Sequence, residues 1–95
     1  MKKVSILGST GSIGTQALSV IREHRERFCV TSLCCGKNTK LLSEQIREFT
    51  PELAVTADEK DAVELSRRFP HMEVMYGEEG LNAAAEDDSD ILLNA

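Results

Sequence analysis

Tryptophan is absent from this 95-residue chain, and one tyrosine and three phenylalanines are its only aromatic residues. The core must therefore be built from Ile, Leu, Val and Ala, within a 41% hydrophobic share that marks a globular rather than a disordered chain. No apolar run approaches the length needed to span a membrane. Only Val4-Ser5-Ile6-Leu7 separates Met1-Lys2-Lys3 from the first glycine, too short a run for a signal-peptide core. There is no C-x-x-C: the three cysteines are Cys29, Cys34 and Cys35. Adjacent Cys34 and Cys35 face opposite sides of a strand and are poorly placed to pair. All three read as buried or half-buried thiols in a reducing compartment.

Catalytic constellations are missing too. His24 and His71 have no metal-ligand spacing and read as surface residues. The acidic run Glu86-Asp87-Asp88-Ser89-Asp90 lacks ligand periodicity and reads as a solvated loop. No side chains here form a convincing nucleophile, general base or metal cluster, so no catalytic and no metal residue is assigned. Positive charge is also short: the formal net charge of −5 argues against a nucleic-acid partner. That charge is uneven. Residues 1–47 carry eight Lys and Arg against three Asp and Glu; residues 48–95 carry three against thirteen.

The basic half holds Leu7-Gly8-Ser9-Thr10-Gly11-Ser12-Ile13-Gly14, a G-x-x-G-x-x-G run between an apolar strand and an amphipathic helix. Strand, glycine turn and helix in that order make a phosphate site. Gly8 permits the sharp turn, Gly11 lets backbone approach a pyrophosphate, and Gly14 lets the helix pack closely on the sheet. Free N–H groups of the first helical turn, with the helix dipole, favour an anion there. Thr10 and Ser12 add hydroxyl donors.

The remaining elements follow from periodicity and breakers. Strands are expected at Val4–Leu7, Cys29–Cys35, Leu53–Val55, Glu73–Tyr76 and Asp90–Ala95. The first helix runs from Ser12 to about His24, with Ile13, Ala17, Val20 and Ile21 as its apolar stripe. A second begins at Asn38 or Thr39, turns Leu42, Ile46 and Phe49 inward, and stops at Pro51. A third starts at Asp58 and turns Ala62, Leu65 and Phe69 inward. A short fourth covers Gly77–Ala85. The alternation predicts an α/β, Rossmann-like, doubly wound, mostly parallel sheet, truncated after about four to five strands. A last strand without a covering helix reads as a fragment: residues 1–95 are the N-terminal part of a dinucleotide-binding domain, with catalytic and C-terminal domains outside the chain.

In a Rossmann unit, an acid about 20 residues past the glycines grips the ribose 2′-OH of NAD. No Asp or Glu stands between Glu26 and Glu44; Gly36-Lys37-Asn38 takes that place. Lys37 attracts a 2′-phosphate, Asn38 offers amide donors, and Gly36 lets the backbone approach the adenosine. A charge-assisted contact of about 1.5–3 kcal/mol biases the choice to NADP tenfold or more.

The run Leu7–Gln16 followed by Gly36-Lys37-Asn38 closely resembles the 1-deoxy-D-xylulose 5-phosphate reductoisomerase family. Asp90-Ile91-Leu92-Leu93-Asn94-Ala95 is similar to the strand before that family's next glycine-rich loop. The resemblance spans the whole chain. It implies rearrangement of 1-deoxy-D-xylulose 5-phosphate and its reduction with NADPH to 2-C-methyl-D-erythritol 4-phosphate, in non-mevalonate isoprenoid synthesis. It implies a divalent metal (Mg, Mn or Co) in the full-length protein, a homodimer, a phosphosugar substrate and a bacterial cytoplasmic setting, with no nucleic-acid or membrane partner. It assigns NADPH contacts to Thr10, Gly11, Ser12, Ile13, Gly36, Lys37 and Asn38. The family's metal acids, substrate-phosphate site and lid come later in the chain, so these 95 residues alone are expected to be inactive. Cys34-Cys35 departs from the smaller or aliphatic residues usual there, and invites oxidation. Two other readings share the opening motif: a fragment of an NADP-dependent semialdehyde or acyl-phosphate reductase, and a non-catalytic nucleotide-sensing domain.

Overall fold

The computed structural model describes all residues from Met1 to Ala95. Its elements alternate strictly: β1 (Lys2–Leu7), α1 (Ser12–Glu23), β2 (Phe28–Cys34), α2 (Thr39–Phe49), β3 (Leu53–Thr56), α3 (Glu59–Arg68), β4 (Glu73–Tyr76), α4 (Gly77–Ala85) and β5 (Ile91–Asn94). One five-stranded sheet has the order β4-β3-β2-β1-β5, and every pairing is parallel. The first three crossovers step the same way across the sheet and the fourth returns past β1. Right-handed crossovers then require α1, α2 and α3 on one face and α4 on the other.

The two cores follow that division. Val4, Ile6, Val30, Leu33, Cys35 and Ala54 point toward Leu18, Ile21, Leu42, Ile46, Phe49 and Leu65 of the three-helix face. Cys34, Leu53 and Val55 point toward Ala84 of α4. Side chains Asn38 and Asp58 cap α2 and α3, accepting from the amides of Leu41 (3.2 Å) and Asp61 (3.0 Å). Thr50 closes α2 in the left-handed region, with φ 44°, immediately before Pro51.

Sequence expectations for α1 and for the acidic run are corrected. The inward stripe of α1 is Gly14, Leu18 and Ile21; Ile13 and Val20 are 61% and 55% exposed. Gly14 sets this rotation. A Cβ there would overlap the Gly8 carbonyl oxygen and lie 2.7 Å from Ser9 Cα, so backbone meets backbone and positions 18 and 21 turn inward with it. The acidic run is not merely a solvated loop. Asp87 accepts from Ser32 Oγ (2.7 Å), Thr31 Oγ1 (3.1 Å) and its neighbour Ser89 N (3.0 Å). Asp90 accepts from Lys3 N at 2.8 Å. Thr31 is the extra residue of a bulge where the β1–β2 register slips between Val4 and Ser5, and its single hydroxyl hydrogen is shared between Asp87 and Val4 O, the latter at 3.2 Å.

Cys34 and Cys35 lie back to back, one in each core. Burial pushes their thiols up to about 12 and about 11 respectively. Thiolate, the oxidisable form, is therefore scarce, and the expected oxidation liability is reversed. At pH 8, a thiol reagent is expected to label half-buried Cys29 first, with Cys34 and Cys35 reacting only on unfolding; rapid labelling of all three would contradict the packing.

Burial raises the Asp87 carboxyl, but hydrogen bonds from Ser89, Ser32 and Thr31 outweigh it and hold the group below its ordinary 3.8. A depressed folded value stabilises above the unfolded one and is lost as pH falls through the folded value, so the contribution fades below about pH 3.8. Asp87→Ala is expected to cost about 2 kcal/mol at pH 7, because buried Thr31 and Ser32 lose a charged acceptor. In urea melts the gap from the parent should shrink toward pH 3; a constant gap would refute the assignment.

Candidate functional site

The C-terminal ends of β1, β2 and β5 meet where the order of connections reverses, the position at which open α/β sheets bind ligands. Gly8, at φ +83°, takes the chain off β1 in a conformation that side chains rarely adopt. Its amide and that of Ser9 both donate to Cys34 O, at 2.9 and 2.8 Å. The β1–α1 turn thus rests on the end of β2, one residue short of Cys35-Gly36. On its other flank, Ala95 N donates to Leu7 O at 2.9 Å.

Gly11 is the N-cap of α1, in ordinary extended backbone. No side chain caps this helix and no acid stands in its first turn. The amides of Ser12, Ile13 and Gly14 are left without a protein partner, whereas α2 and α3 are capped by their own side chains. Gly11, Ser12 and Ile13 are exposed and Thr10 is half-buried, so the mouth of the turn is open.

Gly36, Lys37 and Asn38 are exposed beside that mouth. Lys37 joins no ion pair. Gly36 O accepts from Ala57 N at 3.3 Å, bringing the β3–α3 turn against the same loop. The next carboxylate there, Asp58, is engaged by the α3 cap. Asn38 Oδ1 is held by the α2 cap, which leaves its Nδ2 donors outward.

The glycines divide by what they touch. Gly8 and Gly14 are required by the fold itself: a Cβ on Gly8 would sit 2.7 Å from Ala95 O, and one on Gly14 would overlap backbone. A Cβ on Gly11 would meet only Gly8 O at an ordinary 3.6 Å, and one on Gly36 would meet nothing. Nothing in the chain demands glycine at 11 or 36, which suits positions where a ligand comes close. All seven residues singled out in the sequence thus lie at one end of two neighbouring strands. Arg27 and Lys40 are exposed and form no ion pair.

Sequence reasoning missed two residues beneath the turn. Gln45 of α2 is buried and donates its Nε2 to Ser9 O at 2.9 Å; Ser9 is wholly buried. The available signal was a glutamine on the helix face that also carries Leu42, Ile46 and Phe49. No group of three His, Cys, Asp or Glu side chains converges as a metal ion would require.

Comparison with known proteins agrees with this geometry. A family model described as 1-deoxy-D-xylulose 5-phosphate reductoisomerase matches residues 4–95. The reductoisomerase of Shouchella clausii is 46% identical over 97 residues, covering 100% of this chain and 26% of the relative. That of Chlamydia muridarum is 48% identical, covering 90% of this chain and 23% of the relative. A crystal structure of the reductoisomerase with NADPH, fosmidomycin and magnesium superposes with a TM-score of 0.90 at 28% identity, over 97% of this chain and 24% of that one. The Zymomonas mobilis enzyme with NADPH gives 0.88 at 29% identity, over 96% and 25%. The chain spans about a quarter of the length of the relatives it matches. Because the matched span runs through both loops and all the helices, the chain belongs to the 1-deoxy-D-xylulose 5-phosphate reductoisomerase family.

Proposed function

We propose that residues 1–95 form the N-terminal part of the NADPH-binding domain of a 1-deoxy-D-xylulose 5-phosphate reductoisomerase. Thr10, Gly11, Ser12 and Ile13 hold the cofactor's diphosphate; Gly36, Lys37 and Asn38 hold its 2′-phosphorylated adenosine. One observation carries this reading: an uncapped helix start at the end of β1 and, at the end of the neighbouring strand β2, an exposed lysine outside any ion pair both face solvent. Unpartnered amides favour an oxygen anion. The ammonium of Lys37 then distinguishes a phosphorylated ribose from a plain one, where a carboxylate would select NAD.

In this reading the chain's own work is binding and orientation. The unpartnered α1 amides would hold the diphosphate, and the β2–α2 loop would hold the adenosine end. Bound NADPH supplies the hydride that reduces the rearranged carbon skeleton of 1-deoxy-D-xylulose 5-phosphate to 2-C-methyl-D-erythritol 4-phosphate. Substrate-binding, catalytic and divalent-metal residues are supplied by sequence outside these 95 residues, and the whole protein acts as a homodimer in the bacterial cytoplasm. The relatives' bacterial sources support a bacterial setting.

Fluorescence titration tests cofactor choice. NADPH is expected to bind at least about tenfold more tightly than NADH, and Lys37→Asp to remove most of that preference while leaving NADH nearly unchanged. Equal losses for both cofactors would defeat the role of Lys37. The glycines give a second test. Gly14→Ala is expected to cost about 3 kcal/mol by overpacking backbone, whatever the ligand. Gly11→Ala should lower the melting midpoint far less than Gly14→Ala, by the modest cost of a poorer N-cap, and weaken both dinucleotides. If Gly11→Ala left binding intact, close approach of the diphosphate at that position would be ruled out.

A further inference from the structure

We propose that Gln45 is a positioning residue for the dinucleotide loop: one buried amide of α2 holds the β1–α1 turn in its binding shape and ties it to the loop at Gly36–Asn38. This rests on the cofactor reading above and adds to it a residue that touches no ligand.

Ser9 is the hinge of the turn. It follows Gly8, whose backbone is left-handed, and precedes the exposed residues Thr10–Ile13. Three contacts fix it. Its amide donates to Cys34 O at 2.8 Å. Gly14 packs directly against its backbone, where a Cβ at position 14 would lie only 2.7 Å from Ser9 Cα. Its carbonyl accepts from Gln45 Nε2 at 2.9 Å, a buried contact across 36 residues of chain. Only the last is made by a side chain.

The chemistry at Gln45 speaks against a purely packing role. Gln45 is 6% exposed, and its Oε1 is enclosed without a hydrogen-bond partner, as is Ser9 Oγ. An unmatched buried polar atom is a cost that a methionine of similar volume would avoid. What methionine would not do is hold the Ser9 carbonyl. That carbonyl orients the peptide leading into Thr10 and Gly11, whose backbone the diphosphate approaches. Gln45 also lies on the helix that Asn38 caps, so the same rigid α2 carries the tether and the start of the adenosine loop.

The test compares the parent protein with Gln45→Met, which keeps volume and helix propensity, and Gln45→Glu, which keeps shape but sets a carboxylate against a carbonyl. Two readouts are taken. Amide hydrogen exchange, without ligand, should quicken at Ser9–Gly11 in both variants and stay unchanged in β2 and β3. Titration should show NADPH and NADH weakened alike, by about tenfold, so the preference governed by Lys37 survives. Unchanged exchange in the turn, or a lower melting midpoint with unchanged affinity, would overturn the proposal and leave Gln45 a packing residue. If the parent bound neither dinucleotide, the cofactor reading and the ligand half of this inference would both fall, while the exchange measurement would still decide the tether.

Discussion

Two amides on a single carbonyl organise this molecule. Gly8 N and Ser9 N both donate to Cys34 O, so the chain leaving β1 is drawn over the end of β2 before it enters α1. Only a residue at ease with φ near +83° can supply the first of those amides. Once the turn is placed, α1 has no freedom left. Gly14 meets the turn backbone to backbone, the rotation of the helix is set, and its first amides are left unpartnered beyond the end of β1. The sheet order then places the β2–α2 loop at the end of the neighbouring strand.

Electrostatics and packing are kept apart in this design. The cores consist of small and branched aliphatic groups in two layers, with Cys34 and Cys35 serving as small hydrophobes rather than reactive thiols. Charge is confined to the rims. On the three-helix face, Arg22 pairs with Glu48, and Arg25 lies 4.6 Å over the Phe49 ring, pinning α1 to α2 at the end remote from the glycine turn. Near the strand starts, Asp87 and Asp90 fasten the α4–β5 connection to β1 and β2. Neither set of charges reaches the open β1–α1 turn or Lys37, which forms no ion pair.

Local chemistry made most of this legible in the sequence. Glycine spacing placed the turn, Asn38 and Asp58 announced their helices as caps, and Pro51 and Pro70 marked where α2 and α3 end. Both loops of the site were readable because each joins a strand to a helix, a junction that residue types declare. What stayed hidden depended on contacts across long sequence distances. Ile13 and Val20 fit a helical stripe as well as Leu18 does, and only the contact of Gly14 with the turn selects between the two rotations. Asp87 looked like one carboxylate in an acidic run; its acceptor role rests on a bulge that exposes two β2 hydroxyls to it. Gln45 could be recognised only once Ser9 lay beneath it.

The uncapped start of α1 has a thermodynamic side. The other two helices on that face complete their own termini, whereas this one leaves a set of dipoles to be satisfied from solution. Any solute anion that fills the role lowers the free energy of the folded chain and not of the unfolded one, so the two equilibria are linked by mass action. Folding robustness would then follow the concentration of whatever anion fills that place. An internal cap would have severed that dependence.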